Sequence, residues 1–238
     1  MMSIAASRVV TSEHLFPMIT SFQMGLPVYM FPVRDACRAI ASLLAPHQNR
    51  PTHRIAMPLD VILAAHPFIS RWFSRHDLQH LDQLYIDMGG SHHVILLHAT
   101  YFGMIPVLRH EHKRTRGGLH TCPWYLIDVA AEGGQFGVIQ YLDSIDYTGC
   151  SKAAMDHAAI KNFPAIVNWL HKNRRDGCSD KALTGAVAAR NKVMVQWLVN
   201  NRPESLLGID DAIMKAVETQ QDDILDLLVD VSRTRGVL

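Results

Sequence analysis

The residues in this 238-residue chain that could do chemistry are crowded into one half: His76, His80, His92, His93, His98, His110, His112 and His120, with Cys122 close behind. Imidazole and thiolate are good zinc ligands, so a metal is the first chemistry to test. The spacing does not supply a site. There is no C-x-x-C, and no H-x3-5-H follows a cysteine pair. His76 and His80 stand at i and i+4 on a predicted helix, but Asp77 follows where the H-E-x-x-H arrangement needs glutamate. The histidines are therefore expected to be exposed or hydrogen-bonded side chains, with no metal and no cofactor. Catalytic patterns are missing as well: no G-x-S-x-G, no glycine-rich phosphate loop after a strand, and no cysteine placed near a histidine by motif. Asp210-Asp211 and Asp222-Asp223 are adjacent acids, and neighbours on a helix point apart. No enzymatic activity is expected. The alternative is a metal-binding or enzymatic site within residues 1–125, with the rest of the chain as a docking extension.

Arg109, Lys113, Arg114 and Arg116 form a basic run with His110 and His112. The lack of interleaved aromatics and a formal net charge of +1 argue against nucleic acid and for a solvated loop. An apolar content of 48% with 8% aromatics is that of a globular chain. No run approaches the ~18 apolar residues of a membrane span, and the start lacks a basic region followed by a sustained apolar one. Of the four cysteines, Cys150 and Cys178 take equivalent places in successive repeats. That spacing puts them about 8–10 Å apart, beyond disulfide reach. Buried thiols in a reducing, intracellular compartment, cytoplasmic or nuclear, are expected.

The elements around these residues come from an internal repeat. Met155, Ala158, Ile166-Val167 and Trp169-Leu170 return 28 residues on at Leu183, Ala186, Met194-Val195 and Trp197-Leu198. The columns continue upstream at Ala130-Ala131, Val138-Ile139 and Tyr141-Leu142. They continue downstream, after a two-residue insertion, at Ala212-Ile213, Ala216-Val217, Ile224-Leu225 and Leu227-Leu228. A fixed period in this range predicts stacked repeats. Each unit has a thin inner helix of small residues, a turn such as Lys161-Asn162, and a bulkier outer helix. Ser151 and Ser179 are placed to cap the inner helices, and Trp169 and Trp197 are expected in the core. A worn fifth unit aligns at Ala99, although His110 and Glu111 fall where Trp-Leu should be. A long loop is expected over 109–124.

The unit A-A-x-x-N/G-x-x-x-I/V-V-x-W-L resembles the ankyrin repeat, in degenerate form, over about residues 90–230. Ala153-Ala154-Met155-Asp156 stands where ankyrin units carry T-P-L-H. The period is also shorter, which leaves little room for the β-hairpin fingers of the usual binding groove. The resemblance implies an all-α fold, an α-solenoid of stacked helix pairs preceded by a helical N-terminal extension. Residues 1–90 form that extension, 91–231 the array and 232–238 a frayed tail. In the extension the periodicity predicts one short helix around Leu15–Phe22, an amphipathic helix over Val33–Ala45, a loop over 46–57, and a helix opened by Pro58 and interrupted by Pro67.

The function implied is noncatalytic binding of a protein partner, with no membrane. Charge segregates along the array. Lys172, Arg174, Arg175, Arg190 and Lys192 mark its middle, and acids crowd residues 204–230, where a polar cap is expected. The five basic residues are the expected contact surface for an acidic partner segment.

Overall fold

A computed structural model describes Met30, Val33 and residues 59–87, 92–114, 119–120 and 122–235. The helices expected at Leu15–Phe22 and Val33–Ala45, and the 46–57 loop, lie outside these residues apart from Val33 itself. Every regular element among the described residues is a helix, with no strand. The chain divides into two compact units between His98 and Ala99.

In the first unit, α1 (Leu59–Phe73) leads through a 3-10 turn (Leu78–His80) to α2 (Leu81–Asp87), and α3 (His92–Tyr101) crosses the division. Pro67 does not interrupt α1 as expected; it lies inside the helix. Pro67 is on the exposed side, whereas Ile62, Ala65, Ile69 and Trp72 are buried on the other. Burial of that stripe, about 1.5–3 kcal/mol for each large side chain, offsets the roughly 3 kcal/mol that an interior proline costs. His76 and His80 are not on one α-helix. His76 follows the end of α1 and stacks on Trp72 with centroids 4.8 Å apart, and His80 closes the 3-10 turn.

The second unit continues with α4 (Ile105–Arg114), α5 (Leu126–Glu132), α6 (Phe136–Ser144), α7 (Lys152–Ile160), α8 (Pro164–Asn173), α9 (Asp180–Ala188), α10 (Lys192–Asn201), a 3-10 segment (Pro203–Gly208), α11 (Ile209–Glu218) and α12 (Asp222–Arg235). The inner helices pack in sequence, α5 on α7, α7 on α9 and α9 on α11, and each packs on its own outer partner. Alanines make this layering possible. Ala154, Ala158, Ala159, Ala182 and Ala186 are all 1% exposed or less, so the inner backbones approach closely. At Gly185 a methyl group would collide with Ile160 Cγ1 on the preceding inner helix.

The turns between inner and outer helices keep one geometry through five units. Gly103, Gly134, Asn162, Arg190 and Gln220 all have φ between +53° and +79°. Directly after each, an N–H donates back to the column alanine: Met104 to Ala99, Gln135 to Ala130, Phe163 to Ala158, Asn191 to Ala186 and Gln221 to Ala216, all at 2.8–3.0 Å. The worn unit at Ala99 thus shares the turn geometry of the other four.

Several expectations are corrected. The predicted loop over 109–124 is helical as far as Arg114, because Val107, Leu108 and Glu111 bury one face of α4. Glu111 sits in the leucine column, almost fully enclosed, with Arg114 Nη2 3.1 Å from its carboxylate. The tail does not begin at 232: α12 runs to Arg235 and Ser232 is fully buried. Trp169 and Trp197 are half-buried, not core.

Candidate protein-interaction site

The units are joined by a polar clamp that repeats with the same period. Ser151 N–H donates to Asp128 Oδ1 (2.8 Å) and Ser151 Oγ–H to Asp128 Oδ2 (2.5 Å). One unit on, Ser179 N–H donates to Asp156 Oδ1 (2.7 Å) and Ser179 Oγ–H to Asp156 Oδ2 (2.6 Å). Each serine oxygen also accepts from the N–H two residues ahead, so it caps the following inner helix as expected. Burial pushes the Asp128 carboxyl up to about 6, against the two Ser151 donors that lower it, and burial likewise raises Asp156. A second tie runs between α5 and α7. His157 Nδ1 lies 2.9 Å from Glu132 Oε2 and Lys161 Nζ 3.5 Å from Glu132 Oε1, which holds the Glu132 carboxyl down and lifts His157. Both arrangements join neighbouring units.

The basic residues expected to meet a partner separate into two groups. Arg174 reaches back to the previous unit, donating to Tyr147 O at 3.0 Å and pairing with Asp143 at 3.3 Å. Arg190 donates to Thr219 O, and Lys192 pairs with Asp223 at 3.2 Å. These three brace the array. Lys172 and Arg175 are exposed and have no ion-pair partner among the described residues.

A cleft of about 190 Å3 opens between outer helices α8 and α10. Asn162, Pro164, Val167 and Asn168 line one side and Val193, Met194 and Trp197 the other. The outer helices carry bulkier columns than the alanine-lined inner pair, and α8 and α10 pack on their own inner helices more than on each other. Val193 stands 81% exposed at the rim, and the Trp197 indole meets His171 edge-on at 5.3 Å. Lys172 lies one turn beyond Asn168 on the same helical face, so a positive charge follows the α8 side of the cleft. Sequence reasoning missed this cleft, since a repeat period fixes which residues share a column but not how far neighbouring outer helices stand from each other.

The histidines of the first unit make no such cleft. His66 Nδ1 lies 3.0 Å from His98 Nε2 and 3.3 Å from Ser70 Oγ, with the imidazoles stacked at 5.2 Å. Serine and His98 meet the same ring nitrogen of His66, whereas a proton relay through an imidazole uses both nitrogens. Burial, and then His66, lowers His98 to about 3, and burial with His92 lowers His93 to about 4. Among the described residues no three His, Cys, Asp or Glu side chains are grouped to hold a metal, and no helix is long and apolar enough to cross a membrane. Cys122, Cys150 and Cys178 are buried thiols outside any disulfide, and burial pushes Cys178 up to about 12.

In comparisons with known proteins, no family model, no curated protein and no solved structure matches the chain.

Proposed function

We propose that this chain is a noncatalytic protein-interaction module, an ankyrin-like α-solenoid that takes an acidic, partly apolar segment of a protein partner in the cleft between α8 and α10. The observation that carries this reading is Val193, 81% exposed in the lining of the same cleft as the half-buried Trp197. Tryptophan is enriched among binding hot spots, and the exposed Lys172 and Arg175 would speed encounter with an acidic segment. The short period supports placing the contact on outer helices, because the connections between units, such as residues 174–179 between α8 and α9, leave little room for projecting fingers. The reading includes an intracellular setting, which suits three buried thiols outside any disulfide.

Affinity capture with the intact chain, repeated with Val193→Glu and with Lys172→Glu/Arg175→Glu, tests the reading. Val193→Glu should weaken a genuine partner by at least about tenfold, in the range of a hot-spot change. The double charge reversal should slow association and flatten its salt dependence. Unchanged capture by both variants moves the binding surface off this cleft.

A further inference from the structure

We infer that the acidic end of a second copy of this chain occupies the α8–α10 cleft, an inference that rests on the reading of that cleft given above. The end in question is the outer face of α11. Val217 stands in the column of Ala131, Ala159 and Val187, each 0% exposed beneath the next inner helix. Among the described residues no helix covers Val217 in that way, and it is 54% exposed. Met214 stands in the column of Asp128 and Asp156, which grip the serine of the next unit, and is 61% exposed; Leu207, in the preceding 3-10 segment, is 89% exposed. A solenoid end sealed against water carries polar groups at these columns. This end carries the expected exposed acids and, among them, an apolar stripe that the sequence reading did not foresee.

What surrounds the stripe says what would cover it. Asp210, Asp211 and Glu218 are exposed beside it, and the one base, Lys215, is already paired with Glu218 at 3.0 Å. Two such ends brought face to face would oppose like charges, which disfavours an end-to-end dimer. The cleft has a complementary character, with Val167, Val193, Met194 and Trp197 in its lining and the exposed Lys172 one helical turn beyond Asn168, so the chain carries both halves of a complementary contact. The contact joins two different patches. It closes into a dimer if both pairs form at once, and it grows into longer assemblies if they do not.

Sedimentation equilibrium of the full chain over a range of concentrations, at low and high salt, tests the inference. The mass should rise with concentration above that of one chain and fall back at high salt. Met214→Lys/Val217→Lys and Val193→Glu/Lys172→Glu alter only exposed positions, and each should weaken self-association at least about tenfold. Mixing the two variants should restore a 1:1 complex, because one retains the end and the other the cleft; that recovery also shows that both are folded. A single-chain mass at every concentration, association indifferent to both variants, or a mixture that does not associate overturns the inference. If the chain is monomeric while Val193→Glu still loses a captured partner, the second copy is excluded and the cleft stands. If that partner is retained, the cleft itself fails.

Discussion

Removing one carboxylate should weaken the array at a single interface and leave its neighbours intact. Asp156 is 5% exposed and accepts two hydrogen bonds from Ser179 across the α7–α9 interface. Hydrogen bonds to a charged group contribute about 1.5–3 kcal/mol each, and Asp156→Ala also leaves the Ser179 N–H without its acceptor. Against this, the variant no longer buries a carboxylate whose ionised form burial disfavours, which returns some of the loss. The net cost should be about 2–4 kcal/mol. Asp156→Asn should cost under about 1 kcal/mol. Its amide oxygen still accepts the N–H, its amide nitrogen donates to Ser179 Oγ, and no charge is buried. A double-mutant cycle with Ser179→Ala should give a coupling of about 1–3 kcal/mol. Urea unfolding followed by far-ultraviolet circular dichroism and by tryptophan fluorescence would measure these values, with Trp169 on one side of the clamp and Trp197 on the other. Separation of the two transitions in Asp156→Ala alone would show the interface uncoupling. A loss below about 0.5 kcal/mol, the range of ordinary surface substitutions, or Asn costing as much as Ala, would refute the clamp.

The pH dependence separates the two kinds of inter-unit tie. Asp128 has its folded pKa raised from 3.8 to about 6, so its contribution is full below about pH 4 and is lost as pH rises through 6; Asp128→Asn should remove that decline in urea midpoints. Glu132 is lowered and His157 raised, so their pair is strongest above the ordinary glutamate range and below the raised histidine value. His157→Gln should therefore destabilise near pH 6 and be close to neutral near pH 9. A methyl at Gly133 would collide with the Tyr101 carbonyl oxygen, a backbone atom that cannot swing aside; Gly133→Ala should cost over about 1 kcal/mol in thermal unfolding, and a smaller loss would show that α5 can shift. Trp197→Ala should cost less than the 3–5 kcal/mol of a fully buried ring, about 1–3 kcal/mol, while reducing capture of a partner more than it reduces stability. Cys122, Cys150 and Cys178 should react with a thiol reagent only on unfolding, as a reaction at the rate of an exposed thiol would contradict their burial.

The repeat was legible because burial acts on columns. Ala130, Ala158, Ala186 and Ala216 are all 0% exposed, and any polar side chain there would push adjacent inner helices away from each other. The worn unit was legible for the same reason, through Ala99 and Gly103. What escaped depends on partners outside the column. Asp128 and Asp156 recur with Ser151 and Ser179, so the clamp was visible as a spacing, but aspartate on a helix reads as surface until its acceptor role across the interface is known. The helix over residues 109–114 was missed because its polar sequence hides one buried face, on which a glutamate replaces leucine and is balanced by Arg114. Trp169 and Trp197 showed their column and not their depth. Of the five basic residues, charge alone could not tell the braces Arg174, Arg190 and Lys192 from the exposed Lys172 and Arg175, which have no ion-pair partner among the described residues.

The cleft is tested most directly by where a bound protein touches the chain. A photoreactive side chain placed at Val193, on the cleft, and another at Lys181, exposed on inner helix α9, can be compared in the presence of captured partner. The account predicts a cross-link from position 193 that competes with high salt and none above background from position 181. Cross-linking from position 181 with none from position 193 would contradict it.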